Sequence, residues 1–195
     1  MARPSSGDLV WYLRNSNTAG SPSYTPFNYG YTADRAVAGD WNGDGVASIG
    51  VARPAGNDLD WYLRDDVSAG PPQIGVFNYG YVADIALVGD WNGDLLATVG
   101  VARPTGGNLV WYLRNANTAG TPSYTPFNYG YPGDVPVVGG WNGDGIATIG
   151  VARPNGGVYD WYLRNSNSAG PPQITVFSYG DPNIDTTTTG DWNGI

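Results

Sequence analysis

The 195-residue sequence contains no glutamate, lysine, histidine or cysteine. Glutamate and lysine are the charged residues that favour helices, so their absence argues against a helical protein. Without histidine or cysteine there is no imidazole base, no thiolate nucleophile, no zinc site of the usual kind and no disulfide. Without lysine there is neither a Schiff base nor a phosphate-loop lysine. These absences exclude most of the common catalytic chemistries.

The remaining charge is carried by aspartate and arginine alone. The 17 acidic and 9 basic residues give a net charge of −8, so we expect no nucleic-acid partner. No apolar run approaches the roughly 20 residues of a membrane-spanning helix, so we expect no membrane span. The residues present in quantity are glycine (30), proline (15), tyrosine (14) and tryptophan (8). Glycine and proline at this level indicate many turns.

The sequence consists of four copies of one unit. The period of the unit is 50 residues until one extra residue, between Asp181 and Asp185, shifts the last tryptophan to Trp192. Two motifs define the copies: Ala-Arg-Pro at 2–4, 52–54, 102–104 and 152–154, and Trp-Tyr-Leu-Arg at 11–14, 61–64, 111–114 and 161–164.

Each copy holds four strand-like segments separated by turns rich in glycine, proline, asparagine and aspartate. We label them A, B, C and D, and around the second copy they are 85–89, 49–53, 59–64 and 74–79. Four short antiparallel strands in each repeat are typical of a β-propeller blade. We therefore predict an all-β fold, a β-propeller of four-stranded antiparallel blades with four blades per chain.

The order of the strands predicts how the ring closes. The first copy starts with strand B, and 186–192 supply a lone strand A. Two arrangements satisfy this order: one chain closes a four-bladed ring by pairing its last strand with its first three, or two chains exchange strand A in an eight-bladed ring. The single predicted domain, 1–195, then divides into a shared blade, 1–33 with 186–195, and three whole blades, 34–83, 84–133 and 134–185.

The loop between strands A and B has the spacing of a calcium-binding loop. Oxygen ligands stand at positions 1, 3 and 5, a glycine at 6, a backbone carbonyl at 7 and a hydroxyl at 9. It is not an EF-hand, because Val51 stands at position 12 instead of glutamate. The predicted ligands are Asp40, Asn42, Asp44, Val46 and Ser48 in the first loop, Asp90, Asn92, Asp94, Leu96 and Thr98 in the second, and Asn142, Asp144, Ile146 and Thr148 in the third.

These loops depart from a full calcium site. Leu95 replaces the expected glycine in the second loop, and Gly140 replaces the first ligand in the third. Two carboxylates at most in each loop predict weak calcium binding. The alternative is a simple turn, because Asn-Gly and Asp-Gly favour tight turns and aspartate caps its own backbone. A turn is our expectation for the fourth loop, which contains Asp191 and Asn193.

The string Gly-Asp-Trp-Asn-Gly-Asp-Gly followed by Ile-Gly-Val resembles the FG-GAP or VCBS-type repeat of integrin-α-like β-propellers. The resemblance covers all four copies and is specific in the A–B loop. It implies strands ordered A to D from the axis outward, calcium in the A–B loops, and ligand contacts through the D–A and B–C loops. It also implies an extracellular or cell-surface location.

Repeated aromatic and polar residues indicate where a ligand binds. An aromatic ring beside an amide or carboxylate suits sugar hydroxyls. We expect the repeated arginines and the strand C tryptophans to pack between blades, with the arginines stacked on rings and paired with aspartate. The predicted ligand-binding residues are Tyr31, Asp34, Tyr81, Asp84, Tyr131 and Asp134 in D–A loops, and Asp58 and Asn108 in B–C loops.

The predicted function is a non-catalytic module that binds glycans or a protein partner at several equivalent sites. One alternative is a structural or engineered self-assembling scaffold without a ligand, which the near-identity of the copies, the start within a strand and the end at Ile195 would fit. A second alternative is an aspartate-dependent enzyme acting on glycosides, which needs two carboxylates at a fixed separation.

Overall fold

A computed structural model describes residues 1–189 of the protein, and all the regular structure in this range is β. No helix long and apolar enough to cross a membrane occurs in the described range. The strands are β1 (Ala2–Ser5), β2 (Asp8–Trp11), β3 (Phe27–Tyr31), β4 (Arg35–Gly39), β5 (Ser48–Ala55), β6 (Asp58–Arg64), β7 (Phe77–Tyr81), β8 (Ile85–Gly89), β9 (Thr98–Thr105), β10 (Asn108–Leu113), β11 (Phe127–Asn128), β12 (Val135–Gly139), β13 (Thr148–Asn155), β14 (Val158–Leu163) and β15 (Phe177–Ser178).

The strands form four antiparallel sheets, each made of neighbours along the chain. Sheet 1 has the order β1-β2-β3, sheet 2 β4-β5-β6-β7, sheet 3 β8-β9-β10-β11 and sheet 4 β12-β13-β14-β15. Sheets 2 to 4 therefore contain strands A, B, C and D in that order, and sheet 1 contains B, C and D. The all-β prediction is confirmed, and the four sheets are compatible with four propeller blades.

The predicted strands of the second copy agree with the structure except at strand D. Strand A is β8, and strands B and C lie within β5 and β6. Strand D was predicted from residue 74, but β7 begins at Phe77. The reason is local: the N–H groups of Gln73 and Ile74 both donate to the Leu63 carbonyl. The chain therefore gains regular pairing with β6 only where Phe77 meets Trp61.

The hydrophobic core lies between successive sheets, in what we call junctions. At junction 2–3, Trp61 of sheet 2 belongs to one buried cluster with Val99 and Val101 of sheet 3. Trp11 packs in the same way at junction 1–2 and Trp111 at junction 3–4. Each indole N–H donates to a tyrosine carbonyl of strand D in its own sheet, at 2.8–2.9 Å. The expected packing of the strand C tryptophans between units is confirmed for these three, whereas Trp161 stacks on Phe177 of its own sheet.

The inner strands β4, β8 and β12 lie around a central cavity of about 360 Å³. Thr187, Thr188 and Thr189 also line this cavity, and Thr189 Oγ1 donates to the Val138 carbonyl at 2.5 Å. The last segment described therefore lies beside the inner strands. Trp192 and the fourth A–B loop, named in the sequence predictions, lie outside the described residues.

Arg35, the first residue of β4, makes a contact found in one copy only among residues 1–189. Its Nη1 donates to the Asp84 carbonyl and its Nη2 to the Val82 carbonyl, both in the connection from β7 to β8. Ile85 and Val135 occupy this position in the next copies, and neither side chain can donate a hydrogen bond. The tie strengthens the junction between sheets 2 and 3.

Candidate functional site

A cluster of one arginine, one aspartate and two tyrosines lies at each junction. At junction 1–2, Arg53 donates from Nε to Asp34 Oδ1 at 2.9 Å and from Nη2 to Asp34 Oδ2 at 2.8 Å. Its guanidinium carbon lies 4.3 Å from the ring centroid of Tyr31 and 4.2 Å from that of Tyr62. The same cluster is formed by Arg103, Asp84, Tyr81 and Tyr112 at junction 2–3, and by Arg153, Asp134, Tyr131 and Tyr162 at junction 3–4.

The aspartate of each cluster is fully occupied by the protein itself. The Asp34 side chain is 1% exposed, and its Oδ2 also accepts the Tyr31 N–H at 2.8 Å. The hydrogen bond from Arg53 to this carboxylate raises the pKa of the guanidinium above its ordinary value. Of the predicted ligand-binding residues, Asp34, Asp84 and Asp134 thus hold an arginine and a turn in place.

The arginine retains free donors. Because Asp34 is bound through Nε and Nη2, Nη1 of Arg53 has no acceptor among residues 1–189, and the same holds for Arg103 and Arg153. These side chains are 24–30% exposed. A guanidinium carries five N–H donors, so two donors on Nη1 stay available to a ligand.

A pocket opens at each of these clusters. The pockets at junctions 1–2, 2–3 and 3–4 have volumes of about 340, 400 and 330 Å³. Each is walled by the two stacked tyrosines and the arginine, an asparagine and a tyrosine of strand D, and the C–D loop of the following sheet. These shared lining positions are Asn28, Tyr29, Tyr31, Arg53 and Tyr62 at junction 1–2, Asn78, Tyr79, Tyr81, Arg103 and Tyr112 at junction 2–3, and Asn128, Tyr129, Tyr131, Arg153 and Tyr162 at junction 3–4.

The structure brings together only part of the predicted ligand set. Tyr31, Tyr81 and Tyr131 line the three pockets, and Asn108 lines the pocket at junction 3–4. Asp58 pairs with Tyr81 across β6 and β7 and lies outside the lining. The strand D asparagines and the strand C tyrosines were not among the predicted residues. Strand alternation was the available signal, since Tyr62 faces away from the buried Trp61.

Each pocket is lined by a strand D tyrosine whose hydroxyl has no partner in the described range. The Oη atoms of Tyr29, Tyr79 and Tyr129 are buried and form no hydrogen bond with residues 1–189. Burial raises the pKa of each of these tyrosines to about 12, because the charged phenolate loses its water. A ligand hydroxyl that reaches one of these groups gains a donor at little desolvation cost.

The second repeated arginine has a different role. Arg64 donates from Nε to the Ser68 carbonyl at 3.0 Å and from Nη1 to the Pro71 carbonyl at 2.6 Å. Gly70 lies against the guanidinium with φ of +148°, and a Cβ there would stand 2.8 Å from Nη1. Arg64 thus organises its own C–D loop, which supplies one wall of the pocket at junction 1–2.

The A–B loop of the first copy is a set of capped turns. Asp40 Oδ1 accepts the Gly43 N–H and Asp40 Oδ2 the Gly45 N–H, both at 2.7 Å. Asp44 Oδ1 accepts the Val46 N–H at 2.8 Å. The predicted ligand Ser48 is buried, and its hydroxyl donates to the Gly39 carbonyl at 3.4 Å, on the strand side of the loop.

The other two A–B loops keep part of this pattern. In the second loop Asp90 and Asp94 repeat the caps, with Asp94 on the Leu96 N–H, and the Asn92 side-chain amide donates to Asp94 Oδ2 at 2.9 Å. The third loop, which has Gly140 in place of the first aspartate, keeps the cap of Asp144 on the Ile146 N–H. Thr98 and Thr148 donate to strand carbonyls as Ser48 does.

Several carboxylates lie close together at the first A–B loop. Asp65 Oδ1, in the following C–D loop, is buried and has no hydrogen-bond partner among residues 1–189. Burial, and then the carboxylates of Asp44, Asp66 and Asp40, raise the pKa of Asp65. No three acidic side chains in the described range converge into a metal cage. The donors present are hard oxygens of the type that calcium prefers, but they are fewer than its usual six to eight.

No family model, no curated protein and no solved structure matches this chain.

Proposed function

We propose that the protein is a multivalent, non-catalytic binding module whose sheets are blades of an FG-GAP-like β-propeller and whose junction pockets hold saccharides. The observation that carries the proposal is the repetition of one pocket, with the same arginine, tyrosines and asparagine, at three junctions. Tyrosines 31, 81 and 131, which wall the pockets, are about half exposed. Packing of the sheets alone requires neither an open aromatic wall nor free donors beside it.

The lining chemistry suits a sugar. The exposed tyrosine ring offers an apolar face for the C–H groups of a pyranose. Arginine Nη1 donates, and the asparagine amide both donates and accepts, as the hydroxyls around a sugar ring require. Ligand pockets commonly start at about 300 Å³, so each of these holds one or two sugar residues. Asp8 also lines the pocket at junction 1–2, where its Oδ2 accepts the Asn28 side-chain amide at 2.8 Å and its Oδ1 adds an acceptor.

Three equivalent sites on one molecule raise the overall avidity for a ligand that each site alone binds weakly. A single shallow pocket gives modest affinity, but a ligand with several sugar branches engages two or three pockets of one molecule at once. The second contact is then intramolecular and raises the avidity well above the single-site affinity. This predicts strong retention on branched or surface-bound glycans and weak binding of free monosaccharides.

A glycan array followed by calorimetry tests the proposal. The array selects a saccharide, and titration of that saccharide into the protein should give three sites per chain. Tyr81→Ala removes one aromatic wall and should lower the number of sites to two. Tyr81→Phe, which keeps the ring, is the matched control and should retain three. An empty array, or an unchanged number of sites in a triple Tyr31→Ala, Tyr81→Ala, Tyr131→Ala variant, would refute glycan binding in these pockets.

We also propose weak calcium binding at the first A–B loop, because Asp40, Asp44 and the unpartnered Asp65 gather there. Calcium that binds the folded state alone stabilises it by about 1.4 kcal/mol at ten times its dissociation constant. The measurement is the thermal unfolding midpoint with calcium, with magnesium and with a chelator. Asp65→Asn should remove the calcium response and Asp94→Asn, in the second loop, should keep it. An unfolding midpoint that calcium does not move would contradict this proposal.

A further inference from the structure

The two outer faces of the four-sheet array carry the two halves of a junction. At each complete junction, strands C and D of one sheet contribute a tryptophan and a tyrosine, and strand B of the next contributes apolar side chains. At junction 1–2 these are Trp11 and Tyr29 against Ile49 and Val51. Sheet 4 has the first half on its outer side, which we call the tail face. Sheet 1 has the second half, which we call the head face.

The tail face is uncovered. Tyr179 occupies the position of Tyr79, and the two are 75% and 5% exposed. Phe177 occupies the position of Phe77, and these are 44% and 8% exposed. An exposed group of large aromatic side chains marks an interaction surface. In the other three copies the tyrosine position is buried and the phenylalanine position is buried or half-buried.

The head face is uncovered as well. Met1 occupies the position of Val51, and the two residues are 66% and 0% exposed. Arg3 occupies the position of Arg53 and already stacks on Tyr12, with its guanidinium carbon 5.0 Å from the ring centroid. No carboxylate among residues 1–189 pairs with Arg3, whereas the three equivalent arginines are all paired.

The missing carboxylate is present at the tail face. Asp185 Oδ2 accepts the Asp181 N–H at 2.8 Å, just as Asp34 Oδ2 accepts the Tyr31 N–H. Asp185 therefore stands in the position of the junction aspartate, with the extra residue of the fourth copy absorbed in the turn. No arginine in the described range pairs with Asp185. The two faces are thus complementary in charge.

The backbone shows the same complementarity. β1 has strand β2 on one side and no strand on its inner side within residues 1–189. Segment 186–189 follows Asp185 as β4 follows Asp34, yet it forms no ladder with β1 of its own chain. A free strand edge and an unpaired strand-forming segment favour strand addition.

We infer that the tail face of one chain docks on the head face of a second copy. Arg3 of the partner subunit pairs with Asp185, and segment 186–189 adds to the partner's sheet 1 as its inner strand. The occupant is a second copy because this chain carries both Arg3, which lacks a carboxylate partner in the described range, and Asp185, which lacks an arginine there. Two such head-to-tail contacts between two chains close a ring of eight sheets, since a heterologous interface either closes or forms a filament.

The new junction also differs from the other three. Asp181 stands where Tyr31, Tyr81 and Tyr131 stand elsewhere. The site formed between the two chains therefore has a carboxylate in place of an aromatic wall. It is incomplete in either chain alone, because the arginine comes from one copy and both aspartates come from the other.

Light scattering coupled to size-exclusion chromatography, across a series of protein concentrations, tests the inference. The wild type should have twice the chain mass of 20.6 kDa. Tyr179→Asp, at an already exposed position, should give the mass of one chain and leave the fold intact by circular dichroism. Leu95→Asp, an apolar-to-acidic change on an exposed loop away from both faces, is the matched control and should keep the double mass.

A mixing experiment distinguishes docking between chains from closure within one chain. Arg3→Asp blocks the head face and Tyr179→Asp the tail face, so each variant alone should be a single chain. When the two variants are mixed, the intact tail face of Arg3→Asp can dock on the intact head face of Tyr179→Asp. The mixture should therefore form a two-chain species. A wild type with the mass of one chain at every concentration, or a mixture that stays single, would overturn the inference.

Discussion

At the residue scale, arginine performs two tasks in each of the last three copies. Arg53 binds Asp34 through Nε and Nη2, stacks between two tyrosines and keeps Nη1 free. Arg64 is used by the carbonyl groups of its own loop. The difference arises from the strand position: Arg53 faces the preceding sheet, and Arg64 ends strand C where the loop folds back over it. One arginine is available to a ligand and the other is not.

The buried tyrosines make stability depend on alkaline pH. Unfolded tyrosine ionises near its ordinary pKa of 10, whereas burial holds the pKa of Tyr79 at about 12. Between these values the unfolded state binds fewer protons, so the free energy of unfolding falls as pH rises. We expect a loss of about 1 kcal/mol per pH unit for each such tyrosine. Urea unfolding at pH values from neutral to 11 measures this loss.

Tyr79→Phe should reduce the alkaline loss. It also removes a buried hydroxyl that has no partner, so at neutral pH it should leave stability unchanged or raise it. Tyr81→Phe, which removes an exposed hydroxyl next to the same pocket, is the control. A Tyr79→Phe variant with the same pH dependence as the wild type would contradict the assignment.

Some of the contacts made by the repeated arginines could be predicted from the sequence. The sequence predicts stacked arginines paired with aspartate, because Arg, Asp and Tyr recur with fixed spacing. Two features were not predicted: Arg53 donates to both carboxylate oxygens of Asp34, and Nη1 of Arg53 has no acceptor in the described range. Those facts depend on how two sheets meet, and a spacing along one chain does not specify that distance. The pocket between sheets was unpredictable for the same reason.

At the element scale, the second A–B loop has a leucine, Leu95, at a position where the first and third loops have glycine. Position 6 of the loop has positive φ in every copy described: +83° at Gly45, +73° at Leu95 and +83° at Gly145. Leucine is strained there because its Cβ approaches the carbonyl oxygen. Its side chain is 69% exposed, so little packing offsets the strain. The cap from the position-5 aspartate to the position-7 N–H occurs in all three loops and persists despite the leucine.

Leu95→Gly should therefore stabilise the protein by about 1 kcal/mol, through relief of this backbone strain. The reciprocal change, Gly45→Leu, should destabilise it by a similar amount, and no atom lies within 4 Å of the Cβ it would add. Chemical unfolding of the two variants and the wild type measures both effects. Equal stability of all three would show that the caps do not impose positive φ in the folded loop.

Element types and most strand positions followed from the sequence because turn residues delimit them. Strand D was the exception: 74–76 have the apolar character of a strand, but the double hydrogen bond to Leu63 holds the chain out of register. The same double hydrogen bond forms at Leu13 and Leu113, in copies with a single proline at this point, so it depends on the arginine-filled loop that the copies share. Composition indicates a strand, and only the folded loop determines where pairing begins.

At the scale of the whole molecule, burial is uneven along the array. Sheets 2 and 3 pack against neighbours on both sides, whereas sheets 1 and 4 each have one uncovered face. In a repeat array each unit is stabilised by its interfaces, so terminal units are the least stable. Association of two copies would give every sheet two neighbours and make the units alike.

Hydrogen exchange should report this difference directly. In the Tyr179→Asp variant, we expect the amides of β9 and β10 to exchange slowest and those of β1 and β15 fastest. In the wild type at high concentration, β1 and β15 should gain protection because a second copy covers them. Mass-spectrometric exchange on both proteins measures the contrast. Identical exchange of β1 and β15 in the two proteins would argue against head-to-tail docking.

The hydrogen bonds of Arg35 have a consequence for the evolution of a repeat protein. Near-identical tandem copies invite unequal recombination, by which a gene gains or loses whole units. The carbonyl groups that receive Arg35 are backbone groups, which every copy supplies, whereas the donor belongs to unit 34–83 alone. Deletion of that unit removes the tie, and its duplication creates a second one. Recombination in this gene would therefore change the number of stabilising hydrogen bonds between sheets together with the number of sheets.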